Sequence, residues 1–132
     1  MTAIRTHRLV GATLLALLLP VAALLSAADA SAQPQPTLPR VQLQAGIHLI
    51  SAEVAASHDT RARGLMFRER LGPNQGMLFV FADKATQCFW MRNTLIPLSI
   101  AFIDDDGRIV NIADMQPRSD DSHCSAAPIR LA

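Results

Sequence analysis

The sequence predicts a small β-rich α+β domain, in which a curled antiparallel or mixed sheet is accompanied by one short helix. Short runs of alternating apolar and polar residues, separated by turn-forming residues, recur along most of the chain. Residues 104–107 read Asp-Asp-Asp-Gly between two such runs, which is a strong hairpin signal. Residues 61–94 concentrate large apolar side chains beside clustered arginines. A chain of 132 residues has room for one such domain.

The first 32 residues have the layout of a secretory signal peptide. A basic start precedes an apolar run at 10–25, and small residues follow it. Cleavage after Ala32 and cleavage after Ala30 both fit an A-x-A pattern. The alternative is a retained membrane anchor, because about 20 apolar residues span a bilayer. Pro20 and the small-residue end favour cleavage, so we expect a periplasmic or secreted protein with no stable membrane anchor.

Residues 33–40 form a linker, because prolines alternate there with polar residues and prevent a helix. Removing the leader with Arg5, Arg8 and Asp29 leaves equal numbers of basic and acidic residues. A formal charge of zero argues against a general nucleic-acid binder, which needs basic charge to displace counterions. It also argues against a polybasic membrane patch.

The pattern of apolar runs and turn-forming residues predicts a single domain at residues 41–132. Ser57 or Asp59 is suited to cap the helix, and Gly64 inside it suggests close packing against a neighbour. The chain ends in mid-pattern, so we expect that its last strand is missing. The predicted elements are two short strands divided by Ala45-Gly46, a helix at Ser57–Leu71, a buried strand at Met77–Phe81, a strand at Gln87–Met91, a hairpin of Leu98–Ile103 with Arg108–Met115, a polar loop at Pro117–Pro128 and the start of a strand at Pro128–Ala132.

The chain has two cysteines, Cys88 and Cys124. Export to an oxidising compartment favours a disulfide between them over two free thiols. Such a bond typically adds about 2–4 kcal/mol to stability. That contribution matters for a domain this small, because it buries a modest fraction of its surface.

Three ordered motifs and the hairpin resemble the bacterial and archaeal family called domain of unknown function 192. The motifs are GLMFR at 64–68, GMLFVF at 76–81 and FWMRNT at 89–94, the last followed by IPLSIAFID at 96–104. The resemblance implies a small, often exported protein with a compact β-rich fold and a short helix. It implies no activity, substrate or cofactor. Family members usually continue beyond the point equivalent to Ala132, and a missing strand would leave an open sheet edge.

One group of residues is the predicted ligand-binding site. Arg and Asn side chains beside the face of a Trp are suited to a sugar, a carboxylate or a phosphate ester. Residues two apart share one side of a strand, which favours a common site for Trp90 and Arg92. The structural alternative is that Trp90 is core and the arginines pair with acids such as Glu69, Asp83 or Asp114. The predicted ligand-binding residues are Arg68, Trp90, Arg92, Asn93 and Thr94.

Other candidates for chemistry have simpler structural explanations. The methionines 66, 77 and 91 suit Cu(I), but each lies among apolar neighbours typical of a core. The loop residues Asp114, Asp120, Asp121 and His123 lack the spacing of a known cation motif. A cysteine nucleophile needs a base within hydrogen-bond reach, which His123 does not guarantee. We therefore predict no catalytic residue, no metal site and no cofactor.

The leading functional hypothesis is an exported small binding or accessory module. Its partner is an unknown small molecule or a component of the cell envelope. The alternatives are an enzyme that acts on envelope material and a periplasmic copper-handling protein. An enzyme requires an acid, base or nucleophile near the predicted site, whereas a copper protein requires a convergent set of soft ligands.

Overall fold

The structure is a computed structural model that describes residues 37–132, and the leader and the first half of the linker, residues 33–36, lie outside them. The described part is β-rich with one short helix, as predicted. Its sheets are a six-stranded mixed sheet of order β1-β2-β3-β8-β5-β6 and a two-stranded sheet of β4 and β7. The elements are β1 (Arg40–Ala45), β2 (His48–Ala55), α1 (His58–Arg63), β3 (Gln75–Ala85), β4 (Cys88–Phe89), β5 (Leu98–Ile103), β6 (Ile109–Met115), β7 (His123–Cys124) and β8 (Ile129–Leu131).

The predicted hairpin of β5 and β6 is present, and the two short strands predicted on either side of Ala45-Gly46 also form a hairpin. Strands β1 and β2 pair antiparallel around Gly46, whose φ of 60° suits a residue without a Cβ. Strands β5 and β6 pair antiparallel around the acidic turn. In that turn the Asp104 Oδ1 accepts hydrogen bonds from the backbone N–H groups of Asp106 at 3.0 Å and Arg108 at 2.8 Å. These aspartates therefore build the turn, as expected from their position before a glycine.

The helix is shorter than predicted. Ser57 caps its start by accepting a hydrogen bond from the Thr60 N–H at 3.2 Å. It ends at Arg63 rather than Leu71, because Gly64 adopts φ 49° and ψ −132°, outside helical geometry. A Cβ on Gly64 would lie 3.3 Å from the Phe79 Cζ, so the predicted close packing of this glycine is confirmed. The arginines beyond Arg63 consequently belong to a non-helical segment.

Strands β2 and β3 run parallel, and α1 with residues 64–74 connects them. The predicted strand at Met77–Phe81 is extended on both sides to Gln75–Ala85. The predicted strand at Gln87–Met91 is reduced to Cys88–Phe89, which pairs with β7 inside the predicted polar loop. Local sequence shows neither the parallel pairing nor the two-residue ladder, because both depend on partners far along the chain.

The last strand, β8, lies between β3 and β5. Ile129 is fully buried, and the backbone of Ala132 exchanges hydrogen bonds with Phe79 at 2.7 and 3.1 Å. The predicted start of a strand at the C-terminal residues is therefore present. That a further strand is missing stays a prediction.

The hydrophobic core forms where the two sheets meet. Phe89 of the small sheet lies edge-on to Phe79, with ring centroids 4.9 Å apart, and its centroid is 5.9 Å from that of Phe102. Phe89 thus packs strand β4 of the small sheet against the core. The buried core residues are Met91, Ile100, Phe102, Met115, Ile129 and Ala132.

Candidate functional site

The segment after β4 alternates between the interior and the surface. Met91 is 2% exposed in the core, whereas Trp90 is 45% exposed. The Arg92 guanidinium lies over the Trp90 ring, with its central carbon 5.2 Å from the ring centroid. Strand β4 ends before Trp90, yet the two side chains still meet on one side, as the sequence predicted. Because Trp90 is half-exposed, it is not a core residue, contrary to the structural alternative given by the sequence.

Asp120 fixes the position of Arg92. The Arg92 Nε donates to the Asp120 Oδ1 at 2.7 Å. Both side chains are largely exposed, at 63% for Arg92 and 68% for Asp120. Within residues 37–132, the two terminal nitrogens of Arg92 make no hydrogen bond. We call Trp90, Arg92 and Asp120 the Trp90 surface.

Asp120 belongs to the 116–128 loop, which is attached to the segment carrying Trp90. The Met91 N–H donates to the Ser119 carbonyl at 2.9 Å, and the Arg118 N–H donates to the Thr94 carbonyl at 3.1 Å. The predicted disulfide is present and joins Cys88 to Cys124, which face each other across the β4–β7 ladder. Backbone hydrogen bonds and a covalent bond therefore hold the two parts of the Trp90 surface together.

Asn93 and Thr94 play supporting parts. The Asn93 carbonyl accepts from the Phe67 N–H at 2.9 Å, and its side-chain amide donates to the Met66 sulfur at 3.8 Å. Thr94 is 6% exposed, and its N–H donates to the Met91 carbonyl at 2.9 Å in the turn after β4. Asn93 thus joins the segment carrying Phe67 to the segment carrying Trp90, whereas Thr94 closes the turn.

Phe67 is a second exposed aromatic residue that sequence reasoning did not select. Its side chain is 63% exposed, and its φ of 61° is unusual for a bulky residue. Within an apolar block such as GLMFR, a phenylalanine is expected in the core. Only the backbone geometry after Gly64 turns it outward, and no sequence signal reports that geometry.

Arg68, by contrast, binds a buried carboxylate. Its terminal nitrogens donate to both oxygens of Glu53, at 2.8 and 2.7 Å, and Glu53 is 6% exposed. Arg40 adds a third contact to Glu53 at 3.1 Å. The hydrogen bond from Arg68 lowers the pKa of Glu53 and raises the pKa of Arg68. The expected partners Glu69, Asp83 and Asp114 were wrong for Arg68, because its true partner lies on β2. We call Glu53, Arg68 and Arg40 the Glu53 cluster.

The structure also shows where the residues considered for a cysteine nucleophile and for a metal site lie. Both cysteines are in the disulfide, so neither is a free nucleophile. Among residues 37–132, no three His, Cys, Asp or Glu side chains converge on a metal-sized site. Asp114 accepts a hydrogen bond from the Ser99 hydroxyl at 2.5 Å, and Asp120 is paired with Arg92.

An open cavity of about 1380 Å³ lies beside the Trp90 surface. Its lining includes Trp90, Thr94, Met66 and Phe79 and contains no aspartate or glutamate. This volume exceeds the roughly 300–1,000 Å³ typical of small-molecule pockets. A small ligand would fill only part of the cavity, so the volume does not define the ligand. No helix in the described region is long and apolar enough to span a membrane.

Comparisons with known proteins agree with the resemblance noted in the sequence. The model of the DUF192 family, described as "Uncharacterized ACR, COG1430", matches residues 41–132. The chain belongs to the DUF192 family. No curated protein sequence matches it.

Two solved structures are similar to this DUF192 protein. One is a protein of unknown function from Novosphingobium aromaticivorans, with 35% identity, a TM-score of 0.69, and coverage of 80% of this chain and 81% of that chain. The other is a protein from Sinorhizobium meliloti, provisionally described as a transcription regulator. It has 34% identity, a TM-score of 0.64, and coverage of 70% of this chain and 74% of that chain. These relatives support the fold and bring no assigned activity.

Proposed function

We propose that this DUF192 protein is an exported binding module whose contact surface is the Trp90 surface. The observation that carries the proposal is the stacking of Arg92 on a half-exposed Trp90, with Asp120 fixing the guanidinium. Its contacts with the Trp90 ring and with Asp120 favour one arrangement of the Arg92 side chain over the many rotamers that an isolated surface arginine samples. Preorganisation of this kind reduces the entropy lost on binding.

The disulfide and the supporting hydrogen bonds extend this preorganisation to the backbone. The Trp90 segment and the 116–128 loop are linked at Cys88–Cys124, at Met91–Ser119 and at Thr94–Arg118. A binding surface composed of two segments needs such links, because a small misplacement between them weakens every contact. The supporting residues Asn93 and Thr94 act here through the backbone that they position.

Export is the second part of the proposal. Residues 1–32 have the signal-peptide layout, and disulfides persist mainly in oxidising compartments. The mass of the mature protein tests it, because cleavage after Ala32 leaves Gln33 as the first residue and cleavage after Ala30 leaves Ser31. An uncleaved chain in the cytoplasm would overturn this part.

The S. meliloti relative raises the alternative of nucleic-acid binding. That activity requires an excess of basic charge to release counterions from phosphates. The chain without its leader has a formal charge of zero, and the exposed Arg92 is already paired with Asp120. The charge distribution therefore supports a small-molecule or envelope ligand.

Native mass spectrometry of the protein isolated from its own source tests the binding function. We expect a non-covalent mass excess that is lost in Trp90→Ala and kept in Ile112→Ala. Ile112 is a suitable control because it is a large apolar residue that is 60% exposed on β6. Thermal melting of both variants separates loss of ligand from loss of fold. A mass excess that survives in a folded Trp90→Ala protein would contradict the proposal.

A further inference from the structure

The charge balance of the Trp90 surface limits the class of ligand. Arg92 carries the positive charge, but Asp120 lies 2.7 Å away and neutralises it. Because an incoming carboxylate or phosphate would also meet the charge of Asp120, the pair favours a neutral ligand over an anion. On the same loop the exposed Asp121 is balanced by the exposed Arg118, so these neighbours add no net charge to the pair.

The Arg92–Asp120 pair also presents unused hydrogen-bond donors and acceptors next to each other. The Arg92 Nε and the Asp120 Oδ1 bond to each other. Within residues 37–132, the Arg92 terminal nitrogens and the Asp120 Oδ2 have no hydrogen-bond partner. A neutral ligand that matches them needs groups that both donate and accept over a short distance. Adjacent hydroxyl groups have this property, because each hydroxyl carries one donor and two acceptor lone pairs.

Exposed aromatic rings complete the arrangement. Trp90 is 45% exposed and Phe67 is 63% exposed, and the Phe67 N–H donates to the Asn93 carbonyl three residues after Trp90. The face of an aromatic ring is electron-rich and attracts the polarised C–H groups of a sugar ring. Phe67 is directed outward although its φ of 61° is unfavourable for a bulky side chain.

We propose that the Trp90 surface binds the sugar rings of an uncharged oligosaccharide. The part of the Trp90 ring that Arg92 does not cover receives the C–H face of a sugar, and the Arg92–Asp120 pair binds its hydroxyl groups. Phe67 is exposed on the segment whose backbone is hydrogen-bonded to Asn93, and a second aromatic residue there suits a chain of several sugar units. This inference rests on the proposed binding function and names its ligand class.

Calorimetric titration with neutral oligosaccharides tests the inference on the disulfide-bonded protein. The probes are chitohexaose, cellohexaose and maltohexaose, with inorganic phosphate and citrate as anionic probes. We expect saturable binding of at least one oligosaccharide and none of the anions. Trp90→Ala and Arg92→Gln should each weaken the binding at least about tenfold, whereas Trp90→Phe should retain most of it.

The exposed ion pair of Lys84 and Asp105, with 3.1 Å between its charged atoms, provides the matched control. Lys84→Gln should bind oligosaccharide like the wild-type protein. Tryptophan fluorescence gives a second readout in the wild type, because Trp90 is the only tryptophan. The fluorescence should change with the same saturation curve as the heat of binding.

Two outcomes would overturn the inference, and they separate it from the proposed function. If citrate or phosphate binds with a dependence on Arg92 and the sugars do not, the ligand class is wrong while the binding surface stands. If no oligosaccharide binds, or if binding is unchanged in Trp90→Ala, the saccharide inference fails. The co-purified mass excess then decides the proposed function on its own.

Discussion

Arg68 and Arg92 have equally short ion pairs in very different surroundings. Each places a guanidinium nitrogen 2.7 Å from a carboxylate oxygen. The Arg68 side chain is 19% exposed and its partner Glu53 is 8% exposed, whereas Arg92 and Asp120 are 63% and 68% exposed. The shortest distance is the same, but Arg68 bonds both oxygens of a buried carboxylate, whereas Arg92 makes a single hydrogen bond at the surface. The Glu53 cluster supports the fold, and the Trp90 surface is available to a ligand.

The two ion pairs contribute differently to stability because one is shielded from water and the other is exposed to it. Removing one partner of a buried pair leaves an uncompensated charge and typically costs about 3–5 kcal/mol. An exposed pair contributes only about 0.2–1 kcal/mol, because water screens it and side-chain entropy opposes it. A substitution in the Glu53 cluster should therefore change stability, and one in the Trp90 surface should change binding.

Glu53→Gln should have the largest effect. It leaves Arg68 and Arg40 without their shared carboxylate, so we expect a loss of about 3 kcal/mol in the free energy of unfolding. Urea denaturation followed by tryptophan fluorescence measures the loss. Asp105→Asn, which breaks the exposed pair with Lys84, serves as the control and should cost less than about 1 kcal/mol. Equal losses in the two variants would contradict the comparison.

Loss of the disulfide should have the next largest effect. The bond joins residues 36 apart in sequence, and opening a loop of this kind typically costs about 2–4 kcal/mol. Urea denaturation of the Cys88→Ser/Cys124→Ser protein measures the cost. Dithiothreitol should lower the stability of the wild type to a similar level and leave the double variant unchanged. A wild type that is unaffected after complete reduction would show that hydrogen bonds alone hold the 116–128 loop.

Gly64→Ala should destabilise the protein by about 2 kcal/mol, since positive φ is unfavourable for alanine and the new Cβ would lie 3.3 Å from Phe79. Gly107→Ala separates these two causes. Gly107 has φ 78° with no atom near the position of a Cβ, so its substitution should cost less, about 1 kcal/mol. Thermal melting of both variants checks the order. A smaller loss at Gly64 than at Gly107 would exclude tight packing on Phe79.

The pH dependence of stability should report the Glu53 cluster. The pKa of Glu53 is lowered from 4.5, chiefly by the hydrogen bond from Arg68, so its contribution is fully present above that unfolded-state value. The contribution is lost as pH falls from 4.5 through the lowered folded pKa. Wild-type stability should therefore fall more steeply in acid than that of Glu53→Gln in urea denaturations at pH 3–7. Parallel curves would show that Glu53 does not supply this dependence.

The sequence predicted the locally encoded parts of this molecule. The β5–β6 hairpin follows from the acidic turn ending at Gly107, the break between β1 and β2 follows from Gly46, and the disulfide follows from the presence of only two cysteines in a chain with a signal-peptide layout. The partners of the two arginines could not be predicted in this way. Glu53 lies 15 residues from Arg68 and Asp120 lies 28 residues from Arg92, so tertiary structure alone determines the pairing.

The end of the helix and the exposure of Phe67 also could not be predicted from the local sequence. Arginines and leucines continued a helical pattern to Leu71, but the conformation of Gly64, packed on Phe79, ends the helix at Arg63. In the non-helical segment that follows, Phe67 has a φ of 61° and is exposed, which the pattern of an apolar block does not predict. The sequence predicted that Trp90 and Arg92 lie together, which the structure shows, but it also grouped Arg68 with them, because the buried contact of Arg68 with Glu53 is not visible in a local motif.

The most direct test compares urea denaturation of Arg68→Gln and Arg92→Gln. The two substitutions remove the same charge, but Arg68 bonds both oxygens of a buried carboxylate, whereas Arg92 makes one bond to an exposed carboxylate. The difference between the variants therefore measures what burial and the bidentate contact contribute together. We predict a loss of about 3 kcal/mol in the free energy of unfolding for Arg68→Gln and less than about 1 kcal/mol for Arg92→Gln. Equal losses, or a larger loss for Arg92→Gln, would contradict the assignment of Arg68 to the fold and Arg92 to the binding surface.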